Sequence, residues 1–191
     1  MLRPAVFLDR DGTINIDFGY IKDPNLVKLF PFVPEGIKLL KNFGFKIIVI
    51  SNQAGISYGI MTHADVKNVN NKINELLLGF DTYIDAFYYC PFHPDYNSPE
   101  EALCRKPSPD MIVQASKELQ LDLMKSYMVG DKSSDILCGL NAGVKTVLLD
   151  YEGNTEEINI LQNQGKKPNF VAANFIEVYN FITSDYTENS N

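Results

Sequence analysis

The chain has 191 residues, 45% of them hydrophobic and 21% charged, which suffices for one domain with a full core. Its 24 acids outnumber its 17 Lys and Arg for a net charge of −7, a balance that argues against nucleic acid or an anionic membrane as partner. No apolar run is long enough to span a bilayer, the N-terminus shows no signal-peptide pattern, and three cysteines cannot form an even disulfide framework, so a reducing cytoplasm is the expected compartment.

Ala5-Val6-Phe7-Leu8 is the first apolar run and reads as a buried strand, ending in Asp9-Arg10-Asp11-Gly12-Thr13. An irregular stretch over residues 15–31 follows. Pro34 opens a helix at a first-turn position and Gly44 closes it. Residues 46–50 form the second strand-like run and end at Ser51-Asn52-Gln53. Thr62 and Asp65 have the spacing of a capping box, opening a helix towards Leu78. Residues 84–89 are an aromatic strand candidate, followed by a second irregular stretch over 90–107. Ser108 and Pro109 open a helix to about Leu119. Residues 127–129 are apolar and run into Gly130-Asp131-Lys132-Ser133-Ser134-Asp135, where Ser133 or Ser134 can cap a helix ending near Gly143. Lys145–Leu149 is the last strand candidate, and Asn174 can cap a final helix through Ile182. Alternation of strands and helices predicts a doubly wound α/β fold with a mostly parallel sheet and helices on both faces. Residues 1–183 are expected to form one domain, and 184–191 a polar, flexible tail.

In such sheets ligands sit beyond the carboxyl ends of strands. Three strand ends here carry polar groups suited to phosphate chemistry: Asp9, Ser51 and Gly130-Asp131. Alternate side chains of a strand share a face, so Asp9 and Asp11 can aim at one point as the chain leaves the sheet. Two such carboxylates repel unless a cation neutralises them or one holds a proton. One acid can attack phosphorus, the other can handle protons, and a hard cation such as Mg²⁺ can join Asp9 to Asp131. Ser51 can bind phosphoryl oxygens and Lys106 can bring positive charge to the reacting centre. The cations matter, because two unit charges about 4 Å apart interact by roughly 4 kcal/mol at an effective dielectric near 20. Each segment also has a plainer reading. Asp-x-Asp-Gly and Ser-Asn-Gln are turn sequences, Arg105-Lys106-Pro107 can be a solvated basic step before a helix, and Asp135 can be a favourable charge in a first helical turn. Their joint order on one sheet edge favours the phosphate reading.

These four segments together, spread from about Leu2 to Leu149, resemble the haloacid dehalogenase (HAD) superfamily of phosphatases. Asn15-Ile16-Asp17-Phe18-Gly19-Tyr20, Asn52-Gln53-Ala54-Gly55-Ile56 and Tyr89-Cys90-Pro91 are similar to the subfamily of D-glycero-D-manno-heptose 1,7-bisphosphate phosphatases and histidinol phosphatases. The resemblance implies a small cytoplasmic Mg²⁺-dependent enzyme without a large cap domain, expected to be a monomer acting on a small phosphorylated sugar. It implies Asp9 as nucleophile and metal ligand, and Asp11 as proton donor that binds metal through its backbone carbonyl. Asp131 would be the further Mg²⁺ ligand, and Ser51 and Lys106 would stabilise the phosphoryl group. Asp17, Phe18, Gly19, Tyr20, Asn52, Gln53, Arg105 and Lys132 would line the substrate site. Two departures stand out. Many members hold a structural zinc with Cys-x-His and Cys-x-Cys; here Cys90 and Cys104 remain, but Phe92 and Ala102 fill two ligand positions. Even with the neighbouring His93, three ligands fall short of a closed site. Zinc is therefore not expected, and Cys90 and Cys104 read as ordinary thiols. Tyr58 stands where the heptose enzymes usually carry Arg. Two other functions stay open at this level: a histidinol-phosphate phosphatase, and a receiver-like phosphoacceptor domain of signalling.

Overall fold

The computed structural model describes residues 2–153 and 155–189. Six strands form one parallel sheet: β1 (Ala5–Leu8), β2 (Lys46–Asn52), β3 (Ala86–Cys90), β4 (Tyr127–Gly130), β5 (Lys145–Leu149) and β6 (Phe170–Ala172). Their spatial order is β3-β2-β1-β4-β5-β6. Six helices connect or follow them: α1 (Val33–Phe43), α2 (His63–Leu78), α3 (Asp110–Leu119), α4 (Ser133–Ala142), α5 (Glu156–Asn163) and α6 (Phe175–Glu188).

The strands are apolar along their whole length because both faces are covered. Val6 and Leu8 of β1 join a core with α1, α2 and α6, whereas Ala5 and Phe7 join a second core with α3 and α4. The winding direction reverses between β1 and β4, which are adjacent in the sheet but far apart in sequence. That reversal opens a crevice above their carboxyl ends, where ligands settle in doubly wound folds. Asp9 follows β1 and Asp131 follows β4, so both acids stand on the two lips of this crevice. The order also sets aside the receiver-like alternative, whose sheet runs 2-1-3-4-5.

Local signals act mostly as the sequence indicates. Thr62 Oγ1 accepts from the Asp65 N–H at 3.2 Å, and Asp65 accepts from the Thr62 N–H at 2.8 Å. Asn174 Oδ1 accepts from the N–H groups of Ile176 and Glu177. At α4 neither serine caps: Asp135, in the first turn, reaches back to accept the Lys132 N–H at 3.1 Å. Two elements, α5 and β6, have no counterpart in the sequence reading. The last helix reaches Glu188 instead of Ile182, because Asp185 accepts from the Tyr127 hydroxyl and pairs with Lys145 on the sheet. The part of the expected tail at 184–188 is thus helical, while residues 190–191 lie outside the described residues. No large cap is present among the described residues.

The reading of Cys90 and Cys104 as ordinary thiols is corrected. They form a disulfide across 14 residues, with Cα atoms 5.4 Å apart. Cys90 ends β3 and Cys104 closes the loop that returns to the sheet edge, so the fold itself brings them within bonding range.

Candidate active site

Asp9 emerges from β1 only 7% exposed, its N–H donating to the Val129 carbonyl of β4 at 3.0 Å. Its carboxyl faces Lys106, whose Nζ lies 2.5 Å from Asp9 Oδ1, 2.7 Å from Asp135 Oδ1 and 3.0 Å from the Ile50 carbonyl. Burial pushes Asp9 up to about 7; Lys106 opposes this, and Asp135 and Asp131 add to it. Burial works against the Lys106 charge as well, but Asp135 and Asp9 overcome it and hold the ammonium well above its ordinary range.

Asp131 is raised to about 6, first by burial and then by Asp135, against Lys132 and a hydrogen bond from Thr13 Oγ1 at 2.9 Å. Ligand atoms of Asp9, Asp131 and Asp135 lie within 4.8 Å of one another. Hard carboxylate oxygens at this spacing suit a divalent cation such as Mg²⁺. Burial, and after it the neighbouring acids, pushes two of these carboxyls upward, so a divalent cation would offset a cost that the protein's own groups leave in place and the donor set fits such an ion. Lys106 pairs with Asp9 and Asp135 alike, so all three carboxylates are candidate donors to such an ion. Gly12 enables the close approach: at φ +92°, a Cβ there would stand 2.3 Å from Asp131 Oδ2.

Asp11 turns away from this cluster. Its Oδ2 accepts from Arg10 Nη2 at 2.7 Å and from Gln53 Nε2 at 3.0 Å, and its Oδ1 accepts from Asn15 Nδ2 at 2.9 Å. Burial opposes ionisation, yet Arg10, Asn15 and Gln53 more than offset it and hold the carboxyl below its ordinary value. Arg10 is 0% exposed and also reaches Gln53 Oε1 and Asn70 Oδ1 of α2. In this arrangement Asp11 rests ionised, so delivering a proton requires that it first acquire one.

The cleft above these groups has a volume of about 390 Å³, within the range of small-molecule sites. Asp17, Gly19, Tyr20, Asn52, Gln53, Arg105 and Lys132 line it. Asn52 also clamps the lysine backbone, accepting from the Lys106 N–H at 3.0 Å and donating to its carbonyl at 3.2 Å. Ser51 is buried below the cleft, 3.4 Å from Gln53 Nε2. Phe18 is not brought to the cleft; it lies half exposed, with Lys28 Nζ 5.9 Å from its ring centroid.

Sequence reasoning missed Arg10, Asn15, Ser134 and Asp135 as site residues. Asp135 sits within the Gly130-to-Asp135 segment, and its distance of four residues from Asp131 across a helix start was an available signal. Arg10 and Asn15 carried none, since their partners come together only in the fold.

The HAD-hydrolase-like family model matches residues 103–178. The D-glycero-D-manno-heptose-1,7-bisphosphate 7-phosphatase of Chlorobaculum tepidum is 43% identical over 163 residues, covering 81% of this chain and 82% of that protein. The D-glycero-beta-D-manno-heptose-1,7-bisphosphate 7-phosphatase of Escherichia coli K12 is 40% identical over 154 residues, covering 78% and 80%. Among solved structures, a HAD-like phosphatase of Mesorhizobium loti superposes with a TM-score of 0.81 at 32% identity, over 97% of this chain and 87% of that one. The D,D-heptose 1,7-bisphosphate phosphatase of B. bronchiseptica, complexed with magnesium and phosphate, shares the fold at a TM-score of 0.80 and 24% identity, over 95% and 99%.

Proposed function

The chain belongs to the HAD superfamily of phosphatases, and from that premise we propose that it removes the 7-phosphate of D-glycero-D-manno-heptose 1,7-bisphosphate by way of an aspartyl-phosphate on Asp9. The observation that carries the chemistry is Asp9 at the closing end of β1, within ion-pair reach of Lys106 and sharing a cation-sized space with Asp131. The substrate rests on the relatives of that name, about 40% identical over some four-fifths of the chain.

In this reading Asp11, ionised at rest beside Arg10, first takes a proton from solvent; Asp9 then attacks phosphorus, the bond to the sugar oxygen breaks, and that oxygen leaves with the proton from Asp11. Water then attacks the aspartyl-phosphate, giving its proton to Asp11 as the bond to Asp9 breaks. Lys106 and Ser51 offset charge on the phosphoryl oxygens, a stabilisation that is generally large in phosphoryl transfer. Mg²⁺, held by Asp9, Asp131 and the Asp11 carbonyl, would neutralise the acids facing a phosphate dianion. Asp17, Gly19, Tyr20, Asn52, Gln53, Arg105 and Lys132 hold the leaving group, with Arg105 suited to a second phosphate through its planar fork. The proposal includes a monomer in the cytoplasm, where the Cys90–Cys104 pair would be kept reduced and would close on isolation in air.

The test is phosphate release with Mg²⁺ from heptose 1,7-bisphosphate, other sugar phosphates and histidinol phosphate. The heptose bisphosphate should give the highest kcat/KM, and Asp9→Asn should abolish turnover. Near-normal turnover by Asp9→Asn would refute the covalent route, and a preference for histidinol phosphate would replace the substrate.

A further inference from the structure

Loops following β1, β2 and β3 meet at the cleft mouth through rings. Tyr20 lines the cleft and is 49% exposed. On one side its ring packs against the bare Cα of Gly55, where a Cβ would come within 2.8 Å of Tyr20 Cδ1. It also meets Tyr58 edge to face, with centroids 5.7 Å apart and planes at 79°. Tyr58 in turn packs against Tyr96 at 4.8 Å and His93 at 5.3 Å. Ser57 ties the two outer loops, its Oγ 2.7 Å from the Pro91 carbonyl and 2.6 Å from Asn97 Oδ1.

The cleft thus has two unlike ends. Around Asp9 it is made of charges and suits phosphate. At the mouth it presents a large aromatic ring, held by Gly55 and Tyr58 before any ligand arrives and still half exposed. An immobilised aromatic face in a polar cleft suits a ligand with an apolar face of its own, and its preorganisation spares ordering entropy on binding. The pyranose ring of a sugar has such a face, formed by its axial C–H groups; an open-chain polyol phosphate has a free hydroxyl in place of the ring oxygen and no fixed face.

We propose that Tyr58 is a positioning residue that sets the Tyr20 ring as a stacking wall, and that this pair selects ring-form sugar phosphates over acyclic ones. The inference deepens the phosphatase reading and rests on it.

The test compares wild type, Tyr58→Phe, Tyr58→Leu, Tyr20→Leu and the double Leu variant, all with Mg²⁺. Substrates are heptose 1,7-bisphosphate and a matched pair, glucose 6-phosphate and sorbitol 6-phosphate. Tyr58→Leu should raise KM for the ring substrates about three- to tenfold, the range of one aromatic pair. Its kcat should stay within about twofold, and sorbitol 6-phosphate should be unaffected, which also shows that the variant is folded. Tyr58→Phe keeps the ring edge and should match wild type. The double variant should lose no more than Tyr20→Leu alone, since Tyr58 acts through Tyr20. Equal losses on both members of the matched pair, no loss on ring substrates, failure of Phe to rescue, or a wild type without ring preference would each overturn the inference. If wild type prefers another ring sugar phosphate to the heptose, the proposed substrate fails while the stacking wall stands. Absence of phosphate release from every ester would refute the phosphatase reading and this inference with it.

Discussion

Arg10 stands between two acids in the sequence, where nothing assigns it a role. In the fold it is a buried strut joining Asp11, Gln53 and Asn70. A planar guanidinium can serve three acceptors in fixed directions, whereas an ammonium on a flexible stem cannot. Arg10→Lys keeps the charge but should lower kcat by about ten- to a hundredfold, the scale of small misplacements of a reacting group. KM should change less, because Arg10 does not line the cleft. Steady-state kinetics at saturating Mg²⁺ decide the point, and an unchanged kcat would mean that Asp11 needs no strut. The contrast marks what is legible at this scale. Asp9, Asp11 and Asp131 show themselves because they follow strand ends, and Lys106 because it stands in an Arg-Lys-Pro step before a helix. Arg10, Asn15 and Asp135 do not, because their role is defined by partners that only tertiary structure supplies.

Among elements, the sequence exposes those with continuous apolar runs or a local cap. Strand β6 has three residues and lies at the sheet edge beside β5 alone, so it needs little apolar sequence to exist. Helix α5 buries only Leu161, too little for a periodic signal. At the opposite end of the sheet from the cleft, Asp85 ties α1 to β2. It accepts from Lys41 and Lys46, each at 2.7 Å, and from the Ile47 N–H at 2.9 Å. Burial alone would raise this carboxyl, but these three donors hold it below its ordinary value. A depressed folded-state value stabilises the fold above the unfolded carboxylate range near 4, and that stability is lost as pH falls through the folded value. Asp85→Asn should therefore cost about 1–3 kcal/mol at pH 7, the scale of hydrogen bonds to a charged group. The deficit should shrink at a pH below the ordinary carboxylate range, where the wild-type carboxyl loses its charge. Urea unfolding at both pH values measures it, and an equal deficit at both would show that packing, not charge, is lost.

For the molecule as a whole, the decisive covalent tie joins Cys90, at the end of β3, to Cys104, next to Arg105 and Lys106 in sequence. It holds the loop that brings both cations to the cleft, a task that a zinc ion performs in many members of the family the sequence resembles. The two solutions exclude one another here. With both sulfurs in a disulfide no thiolate remains in the loop, and the Nδ1 of its His93 already accepts the Asp95 N–H at 3.2 Å. The purified protein should therefore hold no stoichiometric zinc by elemental analysis. Chelation should stop turnover, and Mg²⁺ alone should restore it without unfolding in between. Protein prepared without reductant should show one titratable thiol in denaturant, that of buried Cys138, and three after reduction. Cys104→Ser should lower stability by about 3 kcal/mol, as expected for opening a loop of about 15 residues, and Tm by about 6–12 °C. One zinc per chain, with three thiols free before reduction and Tm restored only by zinc, would replace the disulfide with a metal site that recruits His93. Three free thiols without zinc would instead show that packing around Phe92 holds the loop, in keeping with a reducing compartment.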